Sequence, residues 1–401
     1  MKAVVWHAVG DIQLEDVPEP KIQAPTDAIV KITTSAMCGT DLHLIRGTMP
    51  GMKDGTIIGH EAVGEVVEAG TGVRNFSTGD RVVIPSTISC GYCSYCRAGY
   101  QAQCDNANPG GKLAGTAFFG GPEAAGAFDG LQAEYARVPY ASTSLVPIPP
   151  GVSDAQAIMV SDIFPTAWFG AKLAEIRTGD TVAVFGAGPV GQLAILSAYL
   201  QGAGRVIAVD HNTDRLALAQ AQHAEIVDFD TEEPVAAIQD LTGGIGVDRV
   251  IDAVGVDAER PATGVPAEQA QQFDTEQQQA APEGNTTGGG QWVPGDAPSQ
   301  VSQWAAQAVA KAGSIGIIGV YPQTISSYPI GVVMNKNLTV KAGNCNHRHY
   351  MPGLLRLIAE GGVDPALLLT ENEPMTDVMA AYREFDRREP GWIKVALNPA
   401  A

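Results

Sequence analysis

The sequence predicts an α/β protein in which a β-rich first part precedes a doubly wound parallel sheet. The first 150 residues contain short β-branched runs bounded by turn residues, for example at 28–33, 62–68 and 81–85. Such runs are typical of antiparallel or barrel-like β structure. Beyond residue 153, apolar strands alternate with helical stretches, which is the pattern of βαβ units. At 401 residues, the chain is long enough for two domains with separate cores.

The second part supplies the elements of the parallel sheet. They are strands at residues 181–185, 205–210, 248–253 and 314–320, and helices at 190–200 and 215–222. The strands are short, apolar and bounded by turn residues, as buried parallel strands are. We expect the last part of the chain to rejoin the first domain. The predicted domains are therefore residues 1–160 with 335–401, and residues 161–334.

One segment of the second domain, residues 257–300, departs from this pattern. It is rich in Gln, Pro, Gly, Ala and acidic residues, includes a glycine run at 288–290, and has Arg260 as its only base. Such a composition buries little apolar area, so we predict a disordered surface insertion. An ordered cover anchored by Phe273 and Trp292 is the alternative. Because the segment leaves the carboxyl edge of a strand, we hypothesise that it covers the adenine end of a bound cofactor and slows its release.

The charge balance limits the classes of partner. Twenty-five basic and 44 acidic residues give a formal net charge of −19, which argues against nucleic acid or an anionic membrane as a partner. No apolar run is long enough to span a bilayer. The first residues have the character of a strand and not of a secretion signal. We therefore expect a cytoplasmic protein with reduced cysteines.

Four of the six cysteines lie in one short stretch and are predicted to bind a structural metal ion. Their spacing is Cys90-x2-Cys93-x2-Cys96-x7-Cys104. It supplies four soft ligands on a compact loop, as tetrahedral zinc requires. Disulfide bonds are the alternative, but the spacing and the expected compartment favour metal.

A second motif predicts a dinucleotide site. The run Gly-x-Gly-x-x-Gly at residues 186–191 follows an apolar strand and opens a helix, so its backbone can approach a pyrophosphate at the helix N-terminus. Asp210 ends the next strand, where a carboxylate accepts hydrogen bonds from ribose hydroxyls and repels a 2′-phosphate. The pattern therefore favours NAD over NADP. The cofactor-binding candidates in this region are Gly186, Gly188, Pro189, Val190, Gly191, Asp210 and Arg215.

Residues upstream of the cysteine loop supply the ligand types of a catalytic metal site. Cys38 and His60 are candidate zinc ligands, and Glu61 is placed to orient the site or to bind the metal transiently. A catalytic zinc keeps one position open for substrate, and it needs a third protein ligand that chain order alone does not identify. Thr40 and His43 follow Cys38 closely, and a hydroxyl backed by a histidine provides an exit path for a proton.

A further polar cluster follows a predicted strand near the end of the chain. It consists of His347, Arg348 and His349. Polar side chains in loops are mostly exposed, so we predict that all three face solvent. Contact of one of them with the cofactor or the active site is the alternative.

Together these motifs resemble the zinc-dependent medium-chain alcohol dehydrogenase family. The resemblance rests on Cys-Gly-Thr-Asp-x-His at residues 38–43, Gly-His-Glu-x2-Gly-x5-Gly-x2-Val at 59–73, Gly-Asp-Arg-Val at 79–82 and the four-cysteine loop. It covers most of the chain outside the insertion. It implies a GroES-like β-rich catalytic domain with a structural-zinc loop at residues 90–104, a Rossmann cofactor domain, and a homo-oligomer, either dimer or tetramer.

The resemblance also implies roles for single residues. Asp162 stands where the family has its third catalytic zinc ligand, which in many members is Cys or Glu. Thr166 is then expected near the nicotinamide, and Thr40 and His43 would carry the proton from the alcohol to solvent. The aspartate, residues 128–135 and the insertion are most similar to the formaldehyde dehydrogenase and dismutase branch. Two zinc ions per chain and NAD are the implied cofactors.

The function predicted in this way is hydride transfer between NAD and a small alcohol or hydrated aldehyde, with formaldehyde as one candidate. A general alcohol or polyol dehydrogenase and a redox-neutral aldehyde dismutase are alternatives within the family. A zinc-free quinone reductase of the same fold is a third alternative, and a non-enzymatic zinc module is a fourth. The four-cysteine loop, Cys38 and His60 argue against the reductase, and the glycine turn argues against the module.

Overall fold

A computed structural model describes residues 1–285 and 290–399. The chain divides into two compact units. Unit 1 comprises Met1–Pro165 and the chain from Asn344 onward, and unit 2 comprises Thr166–Gly343. The second boundary therefore follows the strand at residues 339–342, whereas the sequence-based boundary precedes it. The strand belongs to unit 2 because it pairs with the parallel sheet of that unit.

The first part of unit 1 is rich in β structure. Its strands are β1 (Lys2–Ala8), β2 (Asp11–Asp16), β3 (Ala28–Ala36), β4 (Thr56–Ile57), β5 (Ala62–Ala69), β6 (Arg81–Ile84), β7 (Tyr135–Val138) and β8 (Val146–Pro147). Its α-helices are α1 (Gly39–Arg46), α2 (Ser94–Arg97), α3 (Ala141–Ser144) and α4 (Asp154–Ile158). The helices are short, so the residues between the strands are mostly loops and turns that can carry functional side chains.

Unit 2 is a doubly wound parallel sheet. Its strands are β9 (Thr181–Phe185), β10 (Arg205–Asp210), β11 (Glu225–Asp228), β12 (Val247–Asp252), β13 (Val309–Ile317) and β14 (Thr339–Ala342). Its helices are α5 (Ile163–Leu173), which spans the boundary, α6 (Pro189–Leu200), α7 (Thr213–Ala221), α8 (Pro234–Leu241), α9 (Ala267–Ala280), α10 (Gln300–Ala308) and α11 (Ile330–Asn335). The strand order is β11-β10-β9-β12-β13-β14. The order reverses between β9 and β12, and ligands bind at the carboxyl ends of strands beside such a reversal.

The last part of the chain returns to unit 1. It contains α12 (His347–Ala359), β15 (Glu371–Pro374), α13 (Val378–Arg387) and β16 (Val395–Asn398). One sheet of unit 1 has the order β15-β16-β3-β5-β6-β8, with β7 also paired to β3, and a second has the order β2-β1-β4. The predicted α/β fold class, with a β-rich unit and a doubly wound parallel sheet, is confirmed. Among the described helices, none combines the length and the apolar character needed to cross a membrane.

The prediction of a disordered insertion is wrong for the described part of residues 257–300. Helix α9 forms within it, and Phe273 is completely buried in the core of unit 2. Trp292 is half-buried. A polar side chain of the insertion forms hydrogen bonds with backbone carbonyl groups of the same segment. Gln277 donates to the carbonyls of Pro294 and Gly295 at 3.3 and 3.2 Å.

The physical reason for this difference is that the insertion does not need a core of its own. A few apolar residues suffice, because they pack on a core that the parallel sheet has already formed. Residues 286–289, which include Gly288 and Gly289 of the predicted glycine run, lie outside the described residues.

Candidate metal and cofactor sites

Four of the residues predicted for catalysis come together in unit 1. Cys38, His60, Glu61 and Asp162 are buried and offer ligand atoms that all lie within 4.8 Å of one another. Cys38 directly precedes α1, His60 and Glu61 directly precede β5, and Asp162 directly precedes α5. The cluster is therefore assembled from the ends of separate elements, where a side chain is not committed to regular packing.

The geometry of this cluster fits a zinc ion. Oδ2 of Asp162 lies 3.9 Å from Sγ of Cys38 and 3.1 Å from Nε2 of His60. Among the described residues, Nε2 of His60 is buried without a hydrogen bond of acceptable geometry. A buried, unsatisfied ring nitrogen is costly, and zinc binds sulfur, nitrogen and oxygen ligands of these types. The three residues would hold the ion with a fourth position left for substrate.

Asp41 orients His60 through the ring nitrogen that does not face Asp162. Its Oδ1 lies 3.1 Å from Nδ1 of His60, and its Oδ2 accepts the backbone N–H of Cys38 at 3.0 Å. Gln132 donates to the same oxygen at 3.3 Å and to the hydroxyl of Tyr382 at 2.8 Å. A carboxylate on one ring nitrogen fixes the tautomer and directs the other nitrogen toward the metal position.

Glu61 is held by a buried lysine. Nζ of Lys394 lies 2.8 and 2.6 Å from the two carboxylate oxygens and also donates to the carbonyl of Met37 at 2.8 Å. Both charged side chains are completely buried. The ion pair therefore fixes the position of Glu61 beside His60, within reach of the other ligand atoms.

The electrostatics of the cluster favour a bound cation. Burial lowers the pKa of His60, but Asp41 and Asp162 outweigh it and hold the pKa well above its usual range. Burial raises the pKa of Asp162, but hydrogen bonds from His347 and His60 outweigh it and hold the pKa well below its usual range. Burial also raises the pKa of the Cys38 thiol, and nearby Glu61 adds to this effect. The carboxylates of Asp41 and Asp162 thus stabilise positive charge at this buried position, and a divalent cation can supply that charge in place of the imidazole proton, which must leave before His60 binds metal.

The prediction that His347, Arg348 and His349 all face solvent is wrong for His347. This ring is buried, with Nε2 at 2.5 Å from Oδ1 of Asp162 and Nδ1 at 3.1 Å from Oγ1 of Thr87. Arg348 is half-buried, and His349 is exposed. The first turn of α12 thus places one of the three side chains beside the metal cluster and leaves another on the surface.

The two residues predicted to carry a proton lie on α1. Thr40 is half-buried, whereas His43 is buried with Nδ1 at 2.8 Å from Oγ1 of Thr48. The helix begins directly after Cys38, so both residues start within two turns of a predicted ligand. Their role as a proton path stays a prediction.

The four cysteines of the loop also come together. Their sulfur atoms lie within 4.8 Å of one another, and none of the six cysteines, all of which lie within the described residues, forms a disulfide bond. Cys93 and Cys104 have sulfur atoms 4.0 Å apart, about twice the length of a disulfide bond. Burial would raise the pKa of Cys93, but hydrogen bonds from the backbone of Cys96 and Asp105 lower it to about 7, whereas burial raises the pKa of Cys96 and of Cys104. Such backbone donors stabilise thiolates, which are the form that binds zinc.

The glycine turn of unit 2 has the close approach that its sequence predicts. A side chain on Gly191 would place Cβ 1.8 Å from the carbonyl oxygen of Gly186, so only glycine fits there. Gly186 itself has φ of +85°. Helix α6 begins at Pro189, directly after Gly188, with Pro189 and Val190 half-buried in its first turn.

Two side chains flank this turn. Asp210 is buried and accepts the backbone N–H groups of Ala187 at 2.6 Å and His211 at 2.8 Å. Arg215 has its guanidinium 3.6 Å from the position that a Cβ on Gly188 would take. Asp210 therefore braces the turn in addition to any contact with ribose. Thr166 lies on α5 and is half-buried.

Sequence reasoning missed the residues that support the ligands. They are Asp41, Gln132, His347, Tyr382 and Lys394. Asp41 stood inside a recognised motif, and a lysine directly before the apolar run of β16 was a signal for Lys394. No local pattern indicated that Gln132 or Tyr382 would reach the same site, because these contacts join distant parts of the chain. Contact of His347 with the site was the alternative to its predicted exposure.

Comparison with known proteins agrees with this architecture. Residues 24–150 match the alcohol dehydrogenase GroES-like domain, and residues 189–262 match the zinc-binding dehydrogenase domain. The chain is 36% identical to the zinc-type alcohol dehydrogenase-like protein AdhB of Bacillus subtilis, with all of both chains covered. It is 38% identical to the glutathione-independent formaldehyde dehydrogenase of Pseudomonas aeruginosa over 63% of this chain and 65% of that protein.

A solved structure extends the agreement to the fold. The alcohol dehydrogenase TADH from Thermus sp. ATN1 superposes with a TM-score of 0.80 at 30% identity, over 99% of both chains. The sequence match, the fold and the buried metal-ligand cluster lead to one conclusion. The chain belongs to the zinc-type medium-chain alcohol dehydrogenase family and is a zinc-dependent alcohol dehydrogenase-like oxidoreductase.

Proposed function

We propose that this enzyme oxidises a small primary alcohol or a hydrated aldehyde, formaldehyde included, by hydride transfer to NAD. The observation that carries the proposal is the buried cluster of Cys38, His60 and Asp162, which offers three ligands of three different chemical types. Three protein ligands leave a position for a substrate oxygen, whereas a structural site uses all four.

Zinc, when bound there, supplies a Lewis acid that makes a substrate hydroxyl more acidic. The protein residues then have separate tasks. Asp41 fixes the ring of His60, and Lys394 fixes Glu61. Thr40 and His43 are the candidates for moving the substrate proton away, since a hydroxyl and an imidazole can pass a proton between them.

The formaldehyde branch is supported by the third ligand and by one relative. Asp162 takes a position at which many members have Cys or Glu, and the partial match to a formaldehyde dehydrogenase is 38% identical. A hydrated aldehyde has a hydroxyl on the carbon that loses the hydride, so the same site can oxidise it to the acid. Redox-neutral dismutation follows if the reduced cofactor stays bound and returns its hydride to a second aldehyde.

The choice of NAD rests on Asp210. A buried carboxylate at the end of β10 would repel the 2′-phosphate of NADP. Its two oxygens already accept backbone N–H groups, and a carboxylate has lone pairs left for a ribose hydroxyl. We therefore propose NAD as the cofactor, with NADP as the comparison in the test below.

The first experiment uses the zinc-replete protein with formaldehyde, without glutathione and without added cofactor. Formate and methanol are measured together, and the assay is then repeated with NAD and with NADP while absorbance of the reduced cofactor is followed. Equal amounts of formate and methanol without added cofactor support dismutation with a retained cofactor. Reduction of added NAD supports a dissociable dehydrogenase.

Two other results would redirect the proposal. Activity with longer alcohols but not with formaldehyde keeps the metal site and removes the formaldehyde branch. Reduction of NADP in preference to NAD removes the role given to Asp210.

We also propose a homo-oligomer, because β14 is the edge strand of its sheet and is exposed. Light scattering of the purified protein tests this.

A further inference from the structure

His347 contacts the predicted metal site from a part of the chain that carries none of the motifs. It is the first residue of α12, and its side chain is 4% exposed. Asp162, its partner, lies 185 residues earlier in the chain. A buried histidine beside a buried carboxylate needs hydrogen bonds on both ring nitrogens to avoid a desolvation cost.

Each ring nitrogen of His347 has a hydrogen-bond partner. Nε2 lies 2.5 Å from Oδ1 of Asp162 and 3.3 Å from Oγ of Ser86, and Nδ1 lies 3.1 Å from Oγ1 of Thr87. Ser86 and Thr87 follow β6 with only Pro85 between, and the backbone N–H of Ser86 donates to the carbonyl of Ser161 at 3.2 Å. Residues 86–87 therefore contact both the ring of His347 and the backbone of Ser161, which directly precedes Asp162.

The two oxygens of Asp162 have different surroundings. Oδ1 is bound by His347, whereas Oδ2 faces Cys38 at 3.9 Å and His60 at 3.1 Å. A hydrogen bond on one oxygen fixes the orientation of the carboxylate and presents the other oxygen to a metal ion. Without that hydrogen bond, the carboxylate could rotate, bind through both oxygens, or leave the site.

We propose that His347 is a positioning residue that holds Asp162 as a single-oxygen ligand of the catalytic metal. The proposal rests on the proposed function in one respect, that a metal ion binds to Cys38, His60 and Asp162. Groups that orient metal ligands typically contribute a factor of about 10–100 in metal affinity. Loss of the donor at His347 should therefore weaken this metal site and leave the four-cysteine site unchanged.

The test compares three variants of the full-length protein. His347→Leu removes the donor, and His347→Gln keeps an N–H at the position of Nε2. His349→Leu is the matched control, since His349 is exposed two residues away. Zinc affinity at the catalytic site is measured by competition with a chelator. The absorption spectrum of the Co²⁺-substituted site reports its ligand geometry.

We expect about 10–100-fold weaker zinc binding and an altered Co²⁺ spectrum for His347→Leu. His347→Gln should stay within a few-fold of the wild type, and His349→Leu should equal it. Unchanged affinity and spectrum in His347→Leu would overturn the proposal. Equal losses in His347→Leu and His347→Gln would also overturn it, because they would mean that the ring matters only for packing.

A second measurement separates positioning from a loss of folding. In an Asp162→Cys background, the third ligand is a single sulfur atom that needs no such orientation. His347→Leu should then add little to the change in zinc affinity, and this non-additivity is what direct coupling produces. Additive effects contradict the proposal. A wild type that binds no second metal ion would instead remove the proposed function, so the two failures are distinguishable.

Discussion

Lys394 and Glu61 form a charged pair from which water is excluded. Both side chains have no exposed surface, and Nζ lies 2.6 Å from Oε2. Removal of one member of a buried pair leaves the other charge unpaired, which costs about 3–5 kcal/mol. We therefore expect Lys394→Met to lower the free energy of unfolding by about this amount, measured by denaturant unfolding in excess zinc.

A surface pair provides the matched control for this substitution. Lys341 has Nζ 2.5 Å from Oε1 of Glu175, but the two side chains are 44% and 40% exposed. Exposed pairs contribute about 0–1 kcal/mol because water and salt screen them. Lys341→Met should therefore be nearly neutral. If the two variants lose the same stability, the buried pair does not have the structural role given to it.

Two glycines of the same turn should respond differently to alanine. Gly191→Ala would bring Cβ 1.8 Å from the Gly186 carbonyl, so the turn must distort and stability must fall. Gly188 has φ of −66°, and among the described residues other than its chain neighbours, the atom nearest to its Cβ position is Nη1 of Arg215 at 3.6 Å. We expect Gly188→Ala to fold normally but to bind NAD more weakly, because the methyl group takes space needed for a pyrophosphate. Thermal unfolding and NAD titration measure the two effects. Unweakened NAD binding in Gly188→Ala would place the cofactor elsewhere.

At the scale of elements, the insertion is connected to the end of β10 through His211. Its Nε2 lies 3.1 Å from Oε2 of Glu259, its Nδ1 lies 3.2 Å from Oδ2 of Asp230, and its ring stacks on Phe229 at 4.6 Å. Glu259 belongs to the insertion, and Asp210 directly precedes His211. The hydrogen bond from Glu259 is the main cause of the raised pKa of His211, with smaller effects of Asp210 and Asp230 and an opposing effect of burial.

The raised pKa makes this connection dependent on pH. A histidine whose pKa is raised by folding stabilises the folded state fully below its unfolded pKa of about 6.5, and the effect is lost as pH rises through the folded value. We expect the difference in stability between the wild type and His211→Gln to be largest below pH 6.5 and to shrink at higher pH. The free energy of unfolding is measured at pH values below and above 6.5. The control is His349→Gln, at an exposed histidine, which should leave the stability unchanged. A difference that stays constant with pH contradicts it.

For the whole molecule, what the sequence predicts depends on how far apart the contacting residues lie in the chain. The four-cysteine loop and the glycine turn are local, and their spacing alone identified them. Cys38 and His60 each lie in a short motif, at residues 38–43 and 59–73, and these motifs identified them. The contacts of His347 with Asp162 and of Lys394 with Glu61 span 185 and 333 residues, and no short pattern encodes them. The composition of the insertion also led to a wrong prediction of disorder, because Phe273 packs on a core that other residues form.

The number of zinc ions per chain tests the two metal sites separately. Two clusters of ligand residues are present in the described residues, Cys90 with three further cysteines and Cys38 with His60, Glu61 and Asp162. We expect two zinc ions in the wild type and one in each of Cys38→Ala and Cys96→Ala, measured by elemental mass spectrometry. The two variants should differ in what they lose. Cys38→Ala should keep its stability and lose activity, because its metal serves chemistry, whereas Cys96→Ala should unfold more readily, because structural zinc contributes to folding. A wild type with one zinc ion, unchanged by Cys38→Ala, would contradict the proposed catalytic metal site.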